Sequence, residues 1–231
     1  MAFSLKQFEK ACGLRFINKN LLVEALTHRS YINENPNHPT NHNERLEFLG
    51  DAVLELVTTE YLYDKFPKKS EGELTAIRAA IVNTVSLSLA ASKLGINDIL
   101  LLSRGEARDR GRARMVILAN AFEALVGAIY LDQGYKSARE FLENHLLPSL
   151  KTIISEKLWQ DAKSLFQEKA QEEWSLTPSY KTISEIGPDH AKVFTVGLYV
   201  GEKLLARGQG HSKQEAETAA ARAGLKKKNW G

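Results

Sequence analysis

The periodicity of the chain changes once, near Trp159, and that change limits the folds open to it. From Leu5 to about Lys151 apolar residues recur at helical spacing, no segment alternates with period two, and turn signals separate the helices. Beyond Trp159 a helical stretch from about Asp161 to Trp174 precedes three runs suited to strands, Tyr180 to Glu185, Val193 to Val200 and Lys203 to Gly208. Val200-Gly201-Glu202-Lys203 reads as a hairpin turn, and a last helix runs from Ser212 to about Lys227. The expectation is an all-α domain over residues 1–156 followed by a small α+β domain, ordered α-β-β-β-α, over 157–231. Three strands with a helix at each end can bury one sheet face under both helices, and 231 residues suffice for two such cores. In the first domain Asn33 to Asn41, with two prolines and four asparagines, is the clearest loop. Phe66-Pro67 closes the helix that starts near Glu44, and Gly95 and Gly134 mark further stops.

Composition narrows the setting. The single cysteine, Cys12, excludes an intrachain disulfide, the first residues lack the charged-then-apolar layout of a signal peptide, and no apolar run approaches membrane-spanning length. A cytoplasmic protein with no membrane partner is expected. Residues 1–156 carry 19 Lys and Arg against 19 Asp and Glu, whereas 157–231 carry 12 against 9. The whole positive excess lies in the tail, which hints at a polyanion partner there. Lys226-Lys227-Lys228 is equally compatible with an ordinary solvated end.

The segment Asn43 to Leu54 places Glu44, Glu47 and Asp51 at i, i+3 and i+7 of a helix, while Leu46, Leu49, Val53 and Leu54 supply a separate apolar stripe. The carboxylates therefore sit beside the core. Clustered carboxylates repel one another unless a cation lies between them, and hard oxygen ligands on a rigid element suit Mg²⁺. Mg²⁺ beside a phosphodiester suggests metal-assisted hydrolysis; a solvated helix face is the bland alternative.

The run Asn43-Glu44-Arg45-Leu46-Glu47-Phe48-Leu49-Gly50-Asp51-Ala52-Val53-Leu54 resembles the signature of ribonuclease III, the double-stranded-RNA endonucleases. Ala25 to Tyr31, Glu71 to Thr75 and Ala121 to Asp132 extend the resemblance, and the tail, with Gly187 to His190 and Gly210 to Glu217, resembles a double-stranded-RNA-binding domain. The resemblance implies a ribonuclease III endonuclease fold in the first domain. It also implies that Glu47, Asp51, Asn120 and Glu123 form a metal-binding quartet, with Asp51 and Glu123 central to catalysis and Glu44 and Glu71 in support. Residues 120 and 123, at i and i+3 of one helix, would project together toward Glu47 and Asp51 on another. The implied activity is Mg²⁺-dependent cleavage of double-stranded RNA, with Mn²⁺ as a substitute ion, by a homodimer that leaves 5′-phosphate and 3′-hydroxyl ends. The implied roles are ribosomal- and messenger-RNA processing and RNA turnover.

The family typically has aspartate where this chain has Asn120. An amide keeps the shape and one acceptor oxygen but loses a negative charge, and its NH₂ group cannot face a cation. At ~4 Å and an effective dielectric near 20, that charge is worth about 4 kcal/mol against a single positive charge. Three readings stay open: an introduced amide that traps substrate or product, a tolerated natural amide, and a protein that binds RNA without cutting it. The last is the rival to the enzyme, a catalytically silent double-stranded-RNA-binding protein.

Other residues carry weaker signals. Ser103 to Met115, with Arg104, Arg108, Arg110, Arg112 and Arg114, reads as a mobile basic loop that could grip phosphates or simply be solvated beside Glu106 and Asp109. His28 reads as a hydrogen-bonded histidine near a helix end. Phe48 could be core, but the resemblance implies that it enters a pocket of a second subunit. In the tail, Ser164, Gln167 and Glu168 on one side of a helix are expected to meet 2′-hydroxyls in a minor groove. Pro188, Asp189 and His190 would enter the next minor groove, and Lys213 would meet phosphates between them. Gln214 stands where the family usually has a second lysine, and Ser212 with Glu215 forms a helix-start signal that attracts phosphate in any case.

Overall fold

The computed structural model describes residues 5–108, 111–188 and 192–230. The chain divides into two compact units, Met1–Trp159 and Gln160–Gly231. The first consists of helices α1 Leu5–Cys12, α2 Lys19–Ala25, α3 Arg29–Glu34, α4 Glu44–Lys65, α5 Glu71–Ile81, α6 Thr84–Lys93, α7 Ile96–Ile99, α8 Arg112–His145 and α9 Leu150–Ser155.

Two long helices, α4 and α8, form the spine of this unit. Leu46, Val53, Leu54, Val57 and Leu62 of α4 are buried against Leu118, Phe122, Leu125, Val126 and Ile129 of α8 and the surrounding apolar side chains. Backbones meet where they cross. A Cβ on Gly50 would lie 1.8 Å from the carbonyl oxygen of Glu123, and one on Gly127 would lie 2.3 Å from that of Leu46. Local signals set the ends: Ser70 and Glu73 form a reciprocal capping box at the start of α5, and α4 closes at Phe66.

Two expectations are corrected in detail. The proline- and asparagine-rich loop begins later than Asn33, because α3 continues to Glu34. Gly134, in contrast, breaks the helical run where the sequence places a stop: its φ of 80° and ψ of −178° are not helical, and two helices meet there at a kink within α8. The helical stretch Arg112–Ser155 does hold a window apolar enough to cross a membrane by length and composition, but 61% of it is buried inside the structure, so those apolar residues serve the core.

The second unit comprises α10 Ala162–Trp174, β1 Pro178–Ile186, β2 Val193–Val200, β3 Lys203–Gly210 and α11 Lys213–Lys228. The strands form an antiparallel sheet in the order β1-β2-β3. Asp161 and Ser212 cap α10 and α11, each accepting a backbone N–H with its side chain. Both helices cover one sheet face, burying Ala162, Phe166, Ala170, Leu198, Ala220, Ala221 and Leu225, while Trp174 and Trp230 close the edge of the core. Gly208 lets β3 lie directly on α11, where a Cβ would meet the Ala220 nitrogen at 2.1 Å.

Candidate active site and RNA interface

The acidic cluster is built by the glycine crossing. Glu47 and Asp51 flank Gly50 on α4, and Asn120 and Glu123 lie within two turns of Gly127 on α8, so backbone contact brings both pairs to one place. Their electrostatics show the proximity. Burial pushes the Glu123 carboxyl up from 4.5 to about 7, and the charges of Asp51 and Glu47 add to the effect. Glu47 is raised by burial and by Glu44 and Asp51, while a hydrogen bond from the Asn120 side chain acts against that rise. Glu44 pairs with Arg29 at 3.3 Å and faces His42 at 3.8 Å.

Glu71 is not brought to this group. It stands at the start of α5 and accepts the Thr75 hydroxyl at 3.2 Å. The tight connection after Lys65 leaves it beside the far end of α4, about 20 Å of helix beyond Asp51.

The donors, three carboxylates and an amide oxygen, suit a hard divalent cation, and Glu47 and Glu123 are raised first by burial and then by the neighbouring carboxylates. Among the described residues, however, no three His, Cys, Asp or Glu side chains stand close enough to hold a metal ion as they are. The donor set therefore fits in kind and is open in geometry.

Phe48 projects from α4 with 82% of its surface exposed, so it is not core. The basic segment is shorter than expected, since α8 begins at Arg112. Arg114 is buried and its Nε donates to Asn97 Oδ1 at 2.9 Å, which makes it an internal tie and not a loop cation. Arg104 and Arg108 remain exposed, while Asp109 and Arg110 lie outside the described residues. His28 caps α3, accepting the Ser30 N–H, and burial lowers its pKa. Two residues that no sequence signal singles out, Gly50 and Gly127, do most to place the cluster. A third, Arg78, ties α5 to α4 through Glu55 at 2.8 Å and the Thr59 hydroxyl at 2.8 Å.

In the C-terminal unit Ser164, Gln167 and Glu168 line one shallow depression of α10 together with Gln171 and Glu172. The Ser164 hydroxyl donates to Asp161 at 2.6 Å. Pro188 is exposed after Gly187, whose φ is 104°, and Asp189 and His190 lie outside the described residues. Lys213 opens α11 and pairs with Glu185 at 3.2 Å; Gln214 beside it is exposed. The Glu215 carboxylate accepts the His211 N–H at 2.9 Å, one residue before the cap.

A helical unit carrying an acidic cluster, followed along the chain by a helix-backed three-stranded sheet, is consistent with a nuclease that carries its own RNA-binding module. Residues 18–150 match the family model described as ribonuclease-III-like, and residues 162–228 match the double-stranded RNA binding motif. Ribonuclease 3 of Borreliella burgdorferi is 47% identical over 222 residues, covering 96% of this chain and 90% of the relative. Ribonuclease 3 of Nitratiruptor sp. is 44% identical over 222 residues, covering 96% of each. The solved nuclease domain of ribonuclease III from Campylobacter jejuni superposes with a TM-score of 0.57 at 40% identity, over 63% of this chain and 95% of that one. The chain belongs to the ribonuclease III family. It is by that membership a double-stranded-RNA endonuclease with a C-terminal double-stranded-RNA-binding domain.

Proposed function

We propose that the protein is a Mg²⁺-dependent endoribonuclease, able to use Mn²⁺, that acts as a homodimer in the cytoplasm on ribosomal-RNA precursors and other duplex RNA, with activity restrained by Asn120. One observation carries this reading: Glu47, Asp51 and Glu123 share an electrostatic neighbourhood in which Glu123 holds its proton up to about 7. Glu47, Asp51, Glu123 and the side-chain oxygen of Asn120 would hold the ion, with Glu44 adding negative charge beside Glu47. Mg²⁺ held there supplies Lewis-acid stabilisation of the negative charge that develops at the scissile phosphate. Glu123 must give up its proton to serve as a ligand, so ion uptake and proton release are coupled. Asn120 must turn its oxygen inward, which breaks the contact its NH₂ group makes with Glu47.

The C-terminal unit positions the duplex through Ser164, Gln167, Glu168, Pro188, His190, Lys213 and Gln214, reading A-form shape and leaving sequence largely unread. The exposed Phe48 supports dimerisation through the helical unit, because an aromatic ring of that exposure gains by entering a partner's pocket. The deciding experiment uses a parent carrying Asn120→Asp. Adding Glu123→Gln removes a ligand charge, so cleavage of long duplex RNA in Mg²⁺ should fall by about a thousandfold or more. Cleavage at the parental rate would remove the cluster from the mechanism.

The hydrogen bond between Asn120 and Glu47 favours a second reading. An amide can satisfy that carboxylate without an ion, as suits a protein that binds duplex RNA and does not cut it. Duplex binding without Mg²⁺-dependent cleavage, in both the chain as it stands and the Asn120→Asp variant, would select this alternative.

A further inference from the structure

The three expected RNA contacts use one end of the C-terminal unit: the first half of α10, the β1–β2 connection and the start of α11. Its other end carries an unused hollow of about 310 Å³, lined by Trp174, Val200, Lys203, Leu205 and Lys228. The fold assembles it from three places. Trp174 ends α10, Lys228 ends α11, and Val200 and Lys203 are register partners across the Gly201-Glu202 turn, where Gly201 takes the positive φ of 59° that a tight hairpin needs.

The lining combines an indole wall, aliphatic sides and two cations. The Lys228 ammonium lies 4.7 Å from the centre of the Trp174 ring and 5.5 Å from that of Trp230, with Glu173 at 3.6 Å as its counter-charge. Lys203 is exposed and has no ion-pair or hydrogen-bond partner through its ammonium among the described residues. Lys227, next along, donates to the Leu205 carbonyl at 3.0 Å and so ties the lysine run to the rim. An unpaired Lys203 ammonium on the rim of a hollow that also holds an indole wall and the Lys228 ammonium suits a ligand with a flat ring on one side and an anion on the other.

We propose that this hollow binds one nucleotide of single-stranded RNA, its base against Trp174 and its phosphate between Lys203 and Lys228. Base stacking on aromatic side chains joined to backbone phosphate contacts is how sequence-tolerant single-strand binding is achieved. The site gives Lys203 and the lysine run at 226–228 a role, and it directs an unpaired tail or loop flanking a duplex to the end of the domain that the duplex contacts leave free. This rests on the reading that the unit binds duplex RNA.

The test measures binding of the full chain in EDTA, which prevents cleavage, to a blunt RNA duplex and to the same duplex with a short 3′ single-stranded tail. The tailed duplex should bind roughly tenfold tighter. Lys203→Ala should abolish most of that gain and lower the log-log salt slope for the tailed duplex by about one, while leaving blunt-duplex affinity unchanged. Trp174→Phe, which keeps a ring in the core, should leave part of the gain. Equal affinity of the parent for both duplexes, or a gain insensitive to Lys203→Ala, would overturn the proposal. Polyglutamate that protects the hollow as well as oligouridylate, judged by tryptophan fluorescence, would also overturn it and assign the hollow to an acidic protein segment. Failure of the parent to bind the blunt duplex would instead remove the duplex-binding reading of the unit.

Discussion

In the helical unit the carboxylates of interest are set at a crossing of two helices, where burial and mutual repulsion raise Glu47 and Glu123. In the C-terminal unit the cation expected to meet the duplex, Lys213, stands in solvent beside a core made largely of alanine and closed by aromatic rings. The difference follows from the work each unit does. Phosphodiester cleavage needs charge held where water screens it poorly, because only there is an ion bound tightly and placed with precision. Recognition of a duplex needs cations that reach phosphates at little desolvation cost. The first arrangement demands a rigid scaffold, whereas the second tolerates a small one.

Breaking the scaffold should therefore cost far more than changing the surface. Gly50→Ala would place a methyl group 1.8 Å from a backbone carbonyl of α8, and backbone cannot move aside as a side-chain tip can. The helices must separate, at a cost of about 3 kcal/mol or more. Lys203→Ala in the other unit should change stability by less than ~0.5 kcal/mol. Chemical denaturation of both variants measures the contrast. If Gly50→Ala is as stable as the parent, α4 and α8 do not meet through their backbones and the glycine crossing does not form the cluster.

A smaller change sharpens the comparison within the cluster. Asn120→Asp restores a negative charge beside Glu47, so Mg²⁺ affinity, followed by calorimetry, should rise tenfold or more, since one charge at this range is worth up to about 4 kcal/mol. Cleavage at limiting Mg²⁺ should rise with it. Duplex affinity in Ca²⁺ should not move, because the charge lies in the helical unit. An unchanged Mg²⁺ affinity would show that the amide already meets the ion as well as an acid does.

Much of this architecture is legible in the amino-acid sequence. Helix ends announce themselves through Ser70 with Glu73, Asp161 and Ser212, and the strands through their period, though β1 starts two residues earlier and ends one later than expected and β3 ends two later, because pairing with β2 extends them. The spacing of Glu47 and Asp51, and of Asn120 and Glu123, can be read because it concerns one helix at a time. That the two helices touch cannot, because a glycine inside a helix reads as punctuation or weakness until its partner glycine is known. The glycines at 105 and 111, for their part, make Arg112 and Arg114 look like loop residues although both lie in α8. Arg114 is buried with its Nε donating to Asn97, and that pairing spans seventeen residues with no local signal.

The smallest expected effect is a pH dependence confined to the helical unit. A carboxyl raised from 4.5 to about 7 binds its proton more tightly in the folded state than in the unfolded one. Its contribution to stability is therefore fully present below about pH 4.5 and is lost as pH rises through about 7. Glu47, also raised, acts in the same sense as Glu123, and two groups of opposite sign must be separated from both. Glu73, held at about 2 by Lys69 and Ser70, loses its contribution only as pH falls toward 2, outside this window. His28, lowered by burial, gains stability with rising pH and so opposes Glu123 within it. The Glu123→Gln variant isolates the effect, since the amide keeps the shape of the protonated acid at every pH. In EDTA the melting temperature of the variant, relative to its parent, should climb between about pH 5 and about pH 7.5, where ionising Glu123 against Asp51 and Glu47 destabilises the parent. Mg²⁺ should erase the climb by supplying the missing counter-charge. A difference that stays flat across that range in EDTA would mean that the three carboxylates do not face one another.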